Sequence, residues 1–375
     1  MSAGTPSVRT YGGRLQKVSN TQGVAPGRRF RPSSEARVVF FRSLAVMFRS
    51  GVPVERSLML LSEQIEDPQM AQVCDFVATK VRSGHYLSNA MSQCEGAFTG
   101  LQLRLIHIAE SAGTMDDTLL QLSLYEERHR AMVMKVKSAI TYPAFTFAVA
   151  FLMLILIPPY LMEGIFQMVS GLGQELPLLT RCVMVVCSVL RSGWFYLFGV
   201  LALVGLSIGL PKLWQREEVR YHVHHLLLKL PLLGETLRTV AVARFSRALA
   251  VQLGVGIAPL VALSLAAKAS DNAVLEELIE TSVGALRDGS HLEESLAACG
   301  FFPPMVLHMV KAGEESGALA DMLTRMADIY EFELENTLEI FTSLLEPMVM
   351  LFMGGVVGVL VISTMTPMMN VIKSL

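Results

Sequence analysis

The sequence predicts an all-α membrane protein: two homologous cytoplasmic helical bundles of about six helices each, and three transmembrane helices. Three observations carry this. Only 17% of the 375 residues are charged while 52% are hydrophobic, against about 25% charged in a typical soluble domain. Three long stretches hold no charge. The chain also repeats itself at a spacing of 204–205 residues. The mean hydropathy of +0.47 therefore reflects apolar surface placed in lipid as well as in a core.

Residues 1–34 hold six Lys and Arg and no acid, among scattered Gly, Ser and Pro. They are expected to be a basic disordered tail, or an arm that touches anionic lipid or an acidic partner. No secretory signal pattern is visible in them. The first cytoplasmic helical domain is placed at 35–138. Phe41, Leu44, Ala45 and Phe48 recur at helical spacing. Gly51 ends that helix and Pro53 starts the next. Thr114 and Asp117 have the spacing of a capping box, followed by Met115, Leu119 and Leu122 along one face. Leu319, Leu323 and Met326 do the same in the second unit.

The first span is placed at 139–162, uncharged over 24 positions, where about 20 apolar residues suffice to cross a bilayer. A periplasmic loop is expected at 163–192 and the second span at 193–210, short at 18 residues unless it borrows residues before it, with Arg191 snorkelling to the interface. A juxtamembrane linker and the second cytoplasmic domain follow at 211–343, then a third span at 344–372 and a short periplasmic tail at 373–375. Pro143 and Pro347 are read as lying near span starts, where helices tolerate proline. Residues 1–138 hold 17 of the 31 Lys and Arg, 211–343 hold 11, and 163–192 only two. The basic segments face the cytoplasm, so the N-terminus is cytoplasmic.

The repeat supports the same arrangement. Phe40–Val54 aligns with Phe245–Pro259, placing Leu44-Ala45-Val46 on Leu249-Ala250-Val251 and Gly51 on Gly256. Arg82-Ser83-Gly84 falls on Arg287-Asp288-Gly289, and Glu110-Ser111-Ala112-Gly113 on Glu314-Glu315-Ser316-Gly317. Tyr142-Pro143 falls on Glu346-Pro347. Each unit is thus a bundle of about 100 residues that feeds into a span. The middle span has no counterpart, which gives three spans from two repeats.

Chemistry-bearing patterns are sparse. No Lys follows a Gly, as a P-loop requires, and no His precedes a Glu, as a zincin helix requires. The five cysteines lack zinc-like spacing and read as small apolar residues. No metal, cofactor or catalytic residue is assigned, and a net charge of −2 does not point to nucleic acid. His222, His224 and His225 read as a solvated helix after the second span. Gly205-x-Ser207-x-Gly209 matches a nucleophile pattern, so an intramembrane serine hydrolase using Ser207 is the alternative function. No span supplies a base, and Gly205, Gly209, Gly354 and Gly358 also suit close helix packing. Glu110, Glu314 and Glu315 read either as carboxylates at helix starts and turns, or as a cation or docking site. Glu346 reads either as an ionisable group at the membrane edge or equally as a first-turn carboxylate.

The doubled L-A-x5-G-[VI] pattern, the doubled Glu-Ser-Ala-Gly/Glu-Glu-Ser-Gly turn and the Tyr142-Pro143 and Glu346-Pro347 pairs together resemble one known family. Leu230-Pro231-Leu232-Leu233-Gly234 and Leu176-Pro177 with Thr180-Arg181 fit as well. The chain resembles the type II secretion system F / type IV pilus assembly platform family over about residues 36–372. The first turn departs from the second at Ala112, where Ser316 stands. The resemblance implies a non-enzymatic platform in the bacterial inner membrane, multi-pass and prone to form homo-oligomers. Its implied partners are a cytoplasmic hexameric assembly ATPase, pilin or pseudopilin subunits and other inner-membrane assembly proteins. Gly51, Glu110, Gly113, Tyr142, Pro143, Pro177, Gly256, Glu314, Gly317, Glu346 and Pro347 are the motif and junction positions to follow.

Overall fold

The computed structural model describes residues 29–170, 178–192, 217–230, 233–287 and 289–374, with single positions at 194, 197, 201, 205 and 209. Among the described residues there is no β-strand. The first bundle comprises α1 (Ser34–Arg49), α2 (Val54–Gln64), α3 (Pro68–Arg82), α4 (Leu87–Ser92), α5 (Gly100–Ala112) and the start of α6 (Met115–Ser170). After α7 (Leu178–Arg191) and α8 (Glu217–Leu228), the second comprises α9 (Leu233–Gly254), α10 (Pro259–Ala269), α11 (Ala273–Arg287), α12 (Leu292–Ala298), α13 (Pro304–Ser316) and the start of α14 (Leu319–Ser374). Six helices per bundle is the expected count.

Local chemistry sets the helix ends. Ser33 Oγ accepts the Ala36 N–H at α1. Asp67 accepts from Gln69 and Met70 at α3, where Pro68 occupies the first turn, the position that does not need its N–H. The complete capping box is Thr99–Gln102 at α5. At Thr114 the helix is met only by the backbone, through the Thr114 carbonyl and the Thr118 N–H at 3.2 Å; the box expected there is not formed. Gly113 and Gly317 end α5 and α13 with φ of 71° and 70°, a conformation that costs any other residue about 1–2 kcal/mol.

The two bundles are copies in three dimensions. Phe40 meets Phe98 at 5.4 Å in the first, and Phe245 meets Phe302 at 5.0 Å in the second. Arg42 pairs with Glu127 at 2.7 Å, and its counterpart Arg247 with Glu331 at 3.0 Å. The copies are not separate bodies: residues from both belong to one continuous apolar core. Gly234 opens the second copy where a Cβ would lie 2.2 Å from the Leu228 carbonyl oxygen. Only a glycine lets α8 and α9 meet that closely.

Several expected boundaries move. The tail reading of 1–34 stops short: Phe30 is buried, its N–H donates to the Glu95 carbonyl at 2.8 Å, and Asp67 also accepts the Ser33 N–H. Residues 30–33 are part of the first bundle. Residues 163–192, expected as a loop, are helical at 163–170 and 178–191: α6 runs on past the expected end of the first span, and the largely apolar residues 178–190 form a helix of their own. Within them Thr180 is buried and donates to the Ser363 carbonyl at 3.0 Å. Pro143 and Pro347 lie in the interiors of α6 and α14 rather than at helix starts.

Candidate functional site

Helices α6 and α14 each run 56 residues, about 84 Å at 1.5 Å per residue. Each begins in a bundle and ends in an apolar stretch. They are long and apolar enough to cross a membrane. Their large exposed apolar side chains, among them Phe145, Phe151, Leu351 and Phe352, suit a lipid surround. The helices lie side by side, both leading away from the bundles.

A charged seam joins them. Arg128 of α6 lies 3.4 Å from Asp328 and 3.6 Å from Glu331 of α14, and Lys135 pairs with Glu335. Arg128, Lys135 and Tyr142 are seven residues apart, as are Asp328, Glu335 and Thr342, the repeat that keeps one face of each helix on its neighbour. Arg247 of α9 is mostly buried and reaches the same Asp328 and Glu331, so α9 is clamped to the seam. The sequence did not reveal these pairs, since no residue pattern within a single helix names the partner.

Beyond Lys135 the seam opens into a groove of about 760 Å³ lined by Lys135, Tyr142, Glu335, Glu339, Thr342 and Glu346 among others. Tyr142 and Glu346, matched positions in the two repeats, thus border one groove at the start of the apolar segments. Both are exposed. Glu346 stands well inside α14, so it is not the first-turn carboxylate expected. A second, apolar groove of about 510 Å³ lies between α6, α7 and α14, bordered by Pro158, Cys182, Cys187 and Gly355.

Glu110 and Glu314 act as carboxylates at helix starts, but of helices other than their own. Glu110 sits near the end of α5, and its Oε1 accepts the Leu87 N–H at 2.6 Å while Oε2 accepts from the Ser88 hydroxyl at 2.7 Å. Glu314 accepts the Leu292 N–H at 3.0 Å. Each carboxylate caps the start of another helix, α4 or α12, where unpaired N–H groups and the helix dipole favour negative charge. Glu315 is exposed. Among the described residues no group of three or more His, Cys, Asp or Glu could hold a metal. His222 and His225 are exposed, and His224 accepts the Ala273 N–H at the start of α11.

Gly51 and Gly256 close α1 and α9 with φ of 78° and 83°, as the sequence suggested for Gly51. No heavy atom among the described residues comes within 4 Å of a Cβ built on Gly354 or Gly358, so the close packing expected there is not made among them. Pro177 and Ser207 lie outside the described residues, as does most of 193–210.

One buried acid was not singled out in the sequence. Glu126 is 4% exposed, accepts from Gln102 Nε2 at 2.5 Å and lies 3.8 Å from Arg37. Burial raises its pKa, against the lowering effect of Gln102 and Arg37. Its counterpart in the second repeat is Tyr330, also buried, so the acid is peculiar to the first bundle.

The fold and the seam define an all-α, internally duplicated membrane protein with two fused helical bundles on two long shared helices. The family model for type II secretion system (T2SS), protein F matches residues 40–161 and again 245–367. The type IV pilus assembly protein PilC of Thermus thermophilus is 34% identical over 349 residues, 92% of this chain and 84% of the relative. In Pseudomonas aeruginosa, type II secretion system protein F is 31% identical over 88% of this chain and 81% of its own length. The type IV pilus assembly protein PilC of the same organism is 29% identical over 91% and 90%. The chain belongs to the type II secretion system protein F family. The serine hydrolase alternative finds no support in these relatives.

Proposed function

We propose that this protein is the inner-membrane platform of a type IV pilus or type II secretion machine, without catalytic activity of its own. It couples a cytoplasmic hexameric assembly ATPase to the insertion or extraction of pilin-like subunits. The observation that carries this reading is mechanical. Two bundles with one continuous core continue without a break into the two apolar helices, so force on the bundles reaches the membrane through rods and not through linkers. The bundles face the cytoplasm on the Lys and Arg distribution, and the chain acts as a homo-oligomer alongside other inner-membrane assembly proteins.

In this reading Pro143 and Pro347 are the bending points, each removing one backbone hydrogen bond inside its helix. Their neighbours Tyr142 and Glu346 border the groove between the rods. The test is filament assembly in a strain whose only copy is the variant chain. A deletion should abolish assembly, and Pro143→Ala with Pro347→Ala should impair it while the protein still accumulates in the membrane. Normal assembly in the deletion strain would refute the platform role. Normal assembly with the double variant would refute the bending points alone.

A further inference from the structure

The groove between α6 and α14 is acidic. Lys135 is already paired with Glu335, whereas Glu339 and Glu346 are exposed and make no ion pair within 4 Å among the described residues. A groove of about 760 Å³ has room for extended chain bearing a long cationic side chain. The chain itself carries such a segment: residues 1–28 contain Arg9, Arg14, Lys17 and Arg28 and no Asp or Glu.

The place where that segment joins the fold leaves the groove within its reach. Phe30 is fixed in the first bundle, and α1 then runs along α6, with Glu35 2.8 Å from Arg130. Arg130 is five residues before Lys135, about 7.5 Å along the helix. The start of α1 therefore lies at the level of α6 that leads into the groove. A segment of 28 residues can reach up to about 90 Å when extended, so the groove is well within its range. Tethering also raises its local concentration far above that of a free peptide.

We propose that the basic N-terminal segment, residues 1–28, docks in the acidic groove formed by Glu335, Glu339, Glu346 and Tyr142 of the same chain, as a strap across the two rods. The complementarity is of charge: cations of the segment face the unpaired Glu339 and Glu346. The competing destination is an anionic membrane surface, which has the same attraction for the segment.

A photo-crosslinking residue placed at Tyr11 of the full chain, reconstituted in neutral-lipid nanodiscs, tests the docking by mass spectrometry of the cross-linked peptides. Cross-links to residues 134–142 and 335–346 are expected. Their yield should fall at least about threefold in Glu339→Gln/Glu346→Gln, and likewise near 0.5 M salt, where charges are screened within roughly 4 Å. Both replaced residues are exposed, so that variant keeps its fold, which a thermal melt verifies. Cross-links elsewhere on the chain, a yield indifferent to the variant, or adducts to lipid that appear only with anionic nanodiscs and replace the groove products would each overturn the proposal.

Discussion

Glu110 on α5 accepts the backbone N–H of Leu87 on α4 at 2.6 Å, and one repeat later Glu314 accepts that of Leu292 at 3.0 Å. A carboxylate at the end of one helix thereby fixes the start of another, too short to form alone. Glu110→Ala should cost about 1–2 kcal/mol, read as a lower melting temperature of the detergent-solubilised chain. Hydrogen exchange at 87–92 should quicken. Glu314→Ala should cost less, since Glu110 also holds the Ser88 hydroxyl. Equal exchange in wild type and Glu110→Ala would show that packing alone holds α4.

Glu126→Gln should stabilise the protein near neutral pH and leave it unchanged in acid. Burial holds the folded pKa of Glu126 above its ordinary value. The neutral form therefore favours folding, and that contribution is complete below the unfolded pKa, about 4.3, and fades as pH rises through the folded one. Glutamine removes the penalty, worth on the order of 1 kcal/mol. The comparison is made at matched pH. Nearby His129, lowered to about 4 chiefly by burial and then by Arg244 and Arg37, opposes it by losing its own contribution as pH falls. A variant less stable than wild type at pH 7 would mean that the Arg37 pairing outweighs burial.

Arg247→Met should loosen the clamp between α9 and the seam. Arg247 is 9% exposed and bonds both Asp328 and Glu331, so its loss should cost about 2 kcal/mol. Arg128→Met, more than half exposed in its side chain, should cost less than about 1 kcal/mol. Because both arginines meet the same two acids, a double-mutant cycle should be non-additive. Strict additivity would mean that the two contacts act independently.

Gly113→Ala and Gly317→Ala should each destabilise by about 1–2 kcal/mol, since both hold φ near 70°. Gly284→Ala is the control: it lies exposed within α11 with nothing near a built Cβ, and should stabilise by about 0.5–1 kcal/mol. Melting temperatures that move the same way at all three positions would contradict the conformational reading.

The sequence by itself determined the elements and their duplication. Helical spacing at Phe41, Leu44 and Ala45 identified buried faces, glycines such as Gly51 identified helix ends, and uncharged runs marked the apolar parts of α6 and α14, because each of these signals is local. What the tertiary structure decided is what meets what across the repeat. It joined the bundles into one core, continued α6 and α14 past Pro143 and Pro347, and gave Glu110 the far helix α4 to cap. It also set Lys135 beside Glu335, 200 residues away, so that Tyr142 and Glu346 border one groove. Pairings at that separation depend on how two packed bundles orient their shared helices, which no local spacing encodes.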